Sequence, residues 1–187
     1  RLNRLVTDLL DLSRIRSGAI PLEIELNTAE DLVGAMLQRL GALAGPDRIE
    51  VTLPSDGRLP VGRFDFVHAL RALGNLVENA LRHAGPGESV RLVVTEDSDE
   101  LVFRVLDRGP GIPKGDEERI FRPFHRAAGG GEQLGTGLGL AIARSVAEAQ
   151  GGSVSYRPRP GGGSVFELRL PGATIDPDAP TRSRDSL

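Results

Sequence analysis

No cysteine occurs in the 187 residues, which excludes a disulfide framework and any thiolate metal site and agrees with a reducing compartment. An apolar run of about 18 residues is also missing, so no stretch reads as a membrane span, and no signal peptide precedes Arg1. Nor is there a surplus of positive charge. Against 23 Lys and Arg stand 26 Asp and Glu, a formal net charge of −3, and this removes the electrostatic case for a nucleic-acid partner or an acidic membrane surface. What is present is a hydrophobic share of 39% and a charged share of 26%, the composition of a soluble globular domain. A start at Arg1-Leu2-Asn3, with no initiator methionine, reads as a piece of a longer protein, and that parent is free to be a membrane protein.

Leu2, Leu5, Leu9 and Leu12 recur at steps of three and four, with Ile15 close by, and predict a helix capped by Gly18. Residues 21–26 alternate and read as a strand. Thr28 followed by Asp31 is an acidic capping box opening a helix to about Leu43, and Gly45-Pro46-Asp47 reads as a turn. Ile49, Val51 and Leu53 alternate up to Pro54. From 64 to 84 the pattern is strongly helical, with Phe66, Leu70, Leu73, Val77, Leu81 and Ala84 on one face and Gly85-Pro86-Gly87 as the stop. Strands are expected at 90–95 and 101–106, joined by an acidic loop at 96–100. A short helix at 115–120, a flexible Gly129-Gly130-Gly131, a helix at 138–150 and strands at 153–157 and 164–170 complete the pattern. Past Pro171 the composition has almost nothing to bury and predicts disorder. This order is not a strict strand–helix alternation. It favours an α+β two-layer sandwich, with helices on one face of a mixed sheet.

Three segments carry chemistry. On the helix at 64–84, opposite the apolar face, His68, Arg71, Asn75, Glu78, Asn79 and Arg82 form a polar stripe. A solvated face is the commoner meaning of such a stripe. Asparagine, however, is a poor choice for an exposed helix interior, because its amide competes with the backbone. An amide oxygen is a hard donor suited to Mg²⁺, whose other ligands are usually waters and nucleotide phosphates. Arg82 and His83 then stand where they can reach phosphate. The second segment, Asp107-Arg-Gly-Pro-Gly-Ile112, has turn chemistry. It also offers a strand-end carboxylate to an adenine amino group, with Gly109 and Gly111 admitting a base close to the backbone. The third, Gly135-Thr136-Gly137-Leu138-Gly139, leads into a helix whose N-terminus is a ready anion site. The glycine run at 129–131, with Arg122 and Arg126, reads as a mobile lid carrying positive charge.

Together and in this order these segments resemble the ATP-binding domain of sensor histidine kinases over about residues 22–170. Asn75-Leu-Val-Glu-Asn79-Ala-Leu-Arg-His83 is similar to the family's N box, and Asp107–Ile112 to its first glycine box. Phe121-Arg-Pro-Phe124 is similar to its F box, and Gly135–Gly139 to its second glycine box. Residues 16–18, 30–35 and 107–121 look most like the potassium-responsive subfamily. The resemblance implies a histidine-kinase, gyrase and Hsp90-type (Bergerat) fold, with about three helices on a mixed sheet of about five strands.

The resemblance also implies roles. ATP and Mg²⁺ are the expected cofactors. Asn79 coordinates the metal, Asn75 supports the metal and phosphate region, and Arg82 and His83 contact phosphate. Asp107 reads adenine with Gly109, Gly111 and Ile112, while Phe124, Arg126, Gly135, Thr136, Gly137, Leu138 and Gly139 complete the nucleotide site. Residues 1–20 resemble the end of the second dimerisation helix, 21–171 the catalytic domain, and 172–187 a disordered tail. The family's phosphoacceptor precedes an acidic residue, and none of His68, His83 and His125 does, so no catalytic histidine is expected within the chain. The partners implied are the protein's own dimerisation and phosphoacceptor domain and a response regulator. The location implied is the cytoplasmic side of a membrane-anchored homodimer. Gyrase-type relatives carry glutamate where Asn75 stands, so kinase chemistry with negligible ATP hydrolysis is expected. A serine kinase of the same fold and a non-catalytic nucleotide-binding scaffold are the rival readings.

Overall fold

A computed structural model of the chain describes residues 2–19, 21–44, 47–54, 60–85, 87–125 and 136–173. In chain order the elements are α1 (Leu2–Arg16), β1 (Glu25–Thr28), α2 (Ala29–Ala44), β2 (Ile49–Thr52), β3 (Val61–Phe64) and α3 (Phe66–His83). They continue with β4 (Val90–Asp97), β5 (Glu100–Leu106), a 3-10 turn at Arg119–Phe121, α4 (Gly139–Ala149), β6 (Ser153–Pro158) and β7 (Ser164–Ala173).

Local chemistry sets the helix ends. Ala19 N–H donates to Arg14 O at 3.0 Å and Gly18 N–H to Ile15 O at 3.1 Å, with Gly18 at φ +66°. That is a Schellman end, and it makes Gly18 the cap the sequence predicted. Thr28 Oγ1 accepts from Asp31 N–H (3.0 Å) and donates to its carboxylate (2.7 Å), so α2 starts on the predicted capping box. Asp65 caps α3 by accepting from His68 N–H at 2.9 Å.

The strands run in the order β1-β3-β7-β5-β4-β2, with β6 also paired to β7. Only β2 and β4 pair in parallel, so the sheet is mixed as expected. Phe103, Val105, Phe166 and Leu168 face α3 and α4, meeting Leu73, Leu76, Val77, Ile142 and Val146 in one core. Each side chain of this size contributes roughly 1.5–3 kcal/mol when fully buried. On the sheet's other face, Glu167 accepts from Arg104 (2.6 Å) and Arg169 (2.7 Å).

The sandwich is the expected one, with differences in detail. Among the described residues the sheet has seven strands rather than five. Three helices pack with it while α1 lies against α4 and α3. The first strand is Glu25–Thr28 rather than 21–26, because Glu23 N–H is drawn to Asp65 Oδ2 (2.9 Å) and pairing with β3 begins at Glu25. β3 itself is short and was not anticipated. β7 continues past Leu170 to Ala173, since its end pairs with β3 through Gly62↔Gly172 and Val61↔Ala173. The acidic loop at 96–100 narrows to Ser98-Asp99, with Asp97 paired to Glu100. The turn at Gly45-Pro46, the glycine run at 129–131 and the tail from residue 174 lie outside the described residues.

Candidate nucleotide-binding site

The polar stripe on α3 divides into parts with different partners. Arg71 donates to Asp11 Oδ2 (2.5 Å) and Asp8 Oδ1 (2.9 Å) and so ties α3 to α1. His68 Nδ1 lies 2.9 Å from the cap carboxylate of Asp65, and Glu78 Oε1 stands 3.9 Å from Arg39 of α2. Asn75 and Asn79 are half-buried. The Asn75 amide nitrogen is sealed from solvent with no hydrogen-bond partner among the described residues. Such a group costs roughly 1–3 kcal/mol unless something satisfies it. Arg82 and His83 are exposed at the end of the helix. Loss of water and the charge of Arg82 push the His83 imidazole below its ordinary value, and nearby Asp107 offsets this in part.

Asp107 follows β5 directly and is 1% exposed. Its N–H donates to Ser164 O (3.0 Å), which extends the β5–β7 ladder by one residue. Its Oδ1 accepts from Gly109 N–H (2.8 Å) and Ser164 N–H (3.1 Å), and its carbonyl accepts from Arg159 Nη1 (3.0 Å). Oδ2 is buried and has no partner among the described residues. A buried carboxylate oxygen left out of every hydrogen bond is a strong sign of an absent donor. Gly109 must lack a side chain, because a Cβ there would lie 2.6 Å from His83 O. The end of α3 therefore abuts the Asp107 loop. Ile112 N–H donates to Tyr156 Oη at 3.2 Å.

At the start of α4, Leu138 is the cap residue, and its side chain makes no capping hydrogen bond. The positive end of the helix dipole is then available to an anion. Leu138 buries its side chain completely and its N–H donates to Thr136 Oγ1 (3.2 Å). Gly137, at φ +70°, accepts from Phe124 N–H at 2.9 Å. Phe124 is itself at φ +62° and 57% exposed. A Cβ on Gly139 would stand 3.8 Å from the Asn75 amide, so the middle of α3 faces the start of α4. Arg126 and Gly135 lie outside the described residues.

These contacts join the three predicted segments along one helix. Asn75 adjoins the α4 terminus and His83 adjoins the Asp107 loop. Eight residues of helix separate them, about 12 Å at 1.5 Å per residue. An acceptor for a base amino group lies at one end and an anion cradle at the other. Ser164, Arg159, Gly163 and Tyr156 were not read from the sequence as site residues, although three consecutive glycines before Ser164 marked a backbone under unusual demand.

The family described as histidine kinase-, DNA gyrase B- and HSP90-like ATPase matches residues 65–174, which contain all three segments. The chain belongs to this family. Within the family the similarity is to sensor kinases. The sensor protein KdpD of Escherichia coli (strain K12) is 38% identical over 91% of this chain and 19% of its own length. The alginate biosynthesis sensor protein KinB of Pseudomonas aeruginosa is 34% identical over 91% of this chain and 28% of its own length. The full-length ShkA structure in complex with AMPPNP superposes with a TM-score of 0.77 at 29% identity, covering 93% of this chain and 36% of that one. The chain thus spans about a fifth to a third of these proteins. KdpD among them agrees with the subfamily resemblance of residues 107–121.

Proposed function

We propose that this domain binds Mg-ATP and supplies the catalytic half of a protein-histidine kinase, the accepting histidine lying on a dimerisation domain outside residues 21–171. The observation that carries this reading is the buried Oδ2 of Asp107, which has no partner among the described residues. It suits the amino group of adenine. Guanine would set a carbonyl against it and leave two acceptors facing each other.

The donor set fits magnesium as well. Among the described residues no group of three or more His, Asp or Glu gathers to hold a metal. Asn79 offers a hard amide oxygen, which suits an ion that takes its remaining ligands from phosphates and water. When bound, Mg²⁺ would neutralise charge on the phosphate oxygens. The chain's own residues hold the substrate in place. Asp107 fixes the base, the start of α4 and the Asn75 amide receive phosphate, and Arg82 adds positive charge.

Asn75 cannot take a proton from water at neutral pH. Glu78, the nearest carboxylate in sequence, is turned toward Arg39. Both features support phosphoryl transfer over hydrolysis, because transfer here needs positioning and charge stabilisation more than a base on this helix. In this reading α1 is the end of a dimerisation helix. The whole protein is a membrane-anchored homodimer with this domain on the cytoplasmic side, and a response regulator takes the phosphate onward. No described helix is long and apolar enough to cross a membrane.

Mixing the chain with γ-labelled ATP and the separately produced dimerisation domain tests the reading. Acid-labile, alkali-stable label on a histidine of that domain is the expected result. Label confined to serine, or binding without transfer, supports a rival reading instead.

A further inference from the structure

The β6–β7 hairpin meets the Asp107 loop at both ends. At residue 107 the contacts are one backbone bond from Asp107 N–H to Ser164 O, a second bond from Ser164 N–H to Oδ1, and the Arg159 guanidinium on the carbonyl. At residue 112 the contact is Tyr156 Oη, accepting from the Ile112 N–H. The Tyr156 ring is held in turn by Phe166, with centroids 5.5 Å apart. The turn also presses on the loop directly. Gly163 has φ +99°, and a Cβ there would lie 2.1 Å from Asp107 O. Residues 108 and 110, between the two anchors, are exposed.

Arg159 is not needed to close its own turn. Its backbone does that, donating to Gly163 O (3.1 Å) and accepting from Gly162 N–H (3.0 Å). The side chain instead crosses to a residue 52 positions away in sequence. With N–H on Ser164 and C=O on Arg159, both peptide planes flanking Asp107 are fixed. With Oδ1 held by two N–H groups, the carboxylate rotation is fixed too, and this sets the direction of Oδ2.

We propose that Arg159 and Tyr156 are positioning residues for base recognition, the β6–β7 hairpin clamping both ends of the 107–112 loop so that Asp107 Oδ2 faces a purine amino group. The inference rests on the nucleotide-binding reading above and adds the element that gives the pocket its selectivity. Without Arg159 the 107–108 peptide is free to turn next to Gly109, and the acceptor loses its aim. A ligand lacking the amino group has nothing to lose from that.

The test compares ATP with purine riboside triphosphate, which lacks only the amino group, by calorimetry on the full chain. Arg159→Ala should weaken ATP about tenfold and leave the analogue within about twofold, and Arg159→Lys should recover most of the loss. Tyr156→Phe should show the same selectivity with a smaller loss of about threefold. Arg159→Gln carries the test if the alanine variant does not fold. Equal weakening of both nucleotides, or no change in either, overturns the proposal. Asp107→Asn, measured alongside, separates the two claims. If it leaves ATP binding intact, the pocket itself is misassigned, whereas a strong effect there with a silent Arg159→Ala removes only the positioning role.

Discussion

Asp107 was legible in the sequence as a strand-end carboxylate before a Gly-Pro-Gly turn, but its neighbours were not. Ser164 and Arg159 approach it from 57 and 52 residues away, and no local pattern encodes a contact made by a sheet register. The stripe on α3 shows the reverse. Its spacing was read correctly as one face, yet Arg71 and Glu78 turned to α1 and α2, because a stripe says which residues are adjacent and not what lies opposite. For His83, the lowered imidazole value favours the neutral ring at pH 7 in the free protein. The ratio of ATP affinities between wild type and His83→Ala should therefore stay flat from about pH 7 to 8.5. A ratio falling steadily across that range would identify a cationic contact. On the far face of the sheet, burial alone would raise the Glu167 value, but hydrogen bonds from Arg169 and Arg104 outweigh it and hold the carboxyl low. A depressed carboxylate stabilises the fold above its unfolded value and loses that contribution as pH falls through the folded one. Urea midpoints from about pH 6 to 3 should thus decline more steeply for wild type than for Glu167→Gln. Parallel declines would show that the two arginines contribute nothing.

Elements with strong periodicity, α2, α3 and α4, were predicted within a few residues of their ends. β3 was missed because four residues with Gly62 at the second position carry too little alternation to register, and because its pairing partners are distant. The strands of the β6–β7 hairpin were legible from their alternation, but the contacts of its turn were not, a run of glycines with unlike demands. Gly161 and Gly162 have open space around an added Cβ, whereas Gly163 is pressed against Asp107. Gly161→Ala, at φ +84°, should cost about 1 kcal/mol of left-handed strain and leave ATP binding unchanged. Gly163→Ala should cost more than about 2 kcal/mol and also weaken ATP, since the backbone that must yield belongs to the base-reading residue. Thermal melts and calorimetry on the two variants check this, and equal costs would contradict it. The α1–α3 link makes a different prediction. Among the described residues of α1 only Leu12 and Ile15 are buried, so the paired carboxylates on Arg71 hold much of this contact. Arg71→Ala should lower stability by about 1 kcal/mol and speed amide exchange along α1. ATP affinity should not change, and a loss of affinity would place Arg71 in the nucleotide site.

Across the whole molecule, α3 organises both the core and the chemistry. Its apolar face fills the space over β5 and β7, while its middle and its C-terminal end adjoin the two glycine-bearing segments. Composition and order sufficed for the two-layer sandwich, because amphipathic helices and alternating strands have few ways to bury their faces together. Which loops converge depended on strand order, with β7 between β3, β5 and β6, and that order is a property of the folded sheet. The most direct test is a crystal structure with Mg²⁺ and a non-hydrolysable ATP analogue. The expected result is the base amino group within hydrogen-bond distance of Asp107 Oδ2, the phosphates at the start of α4, and the metal on the Asn79 amide oxygen. A nucleotide seated elsewhere, with that aspartate oxygen still unpaired, would contradict it.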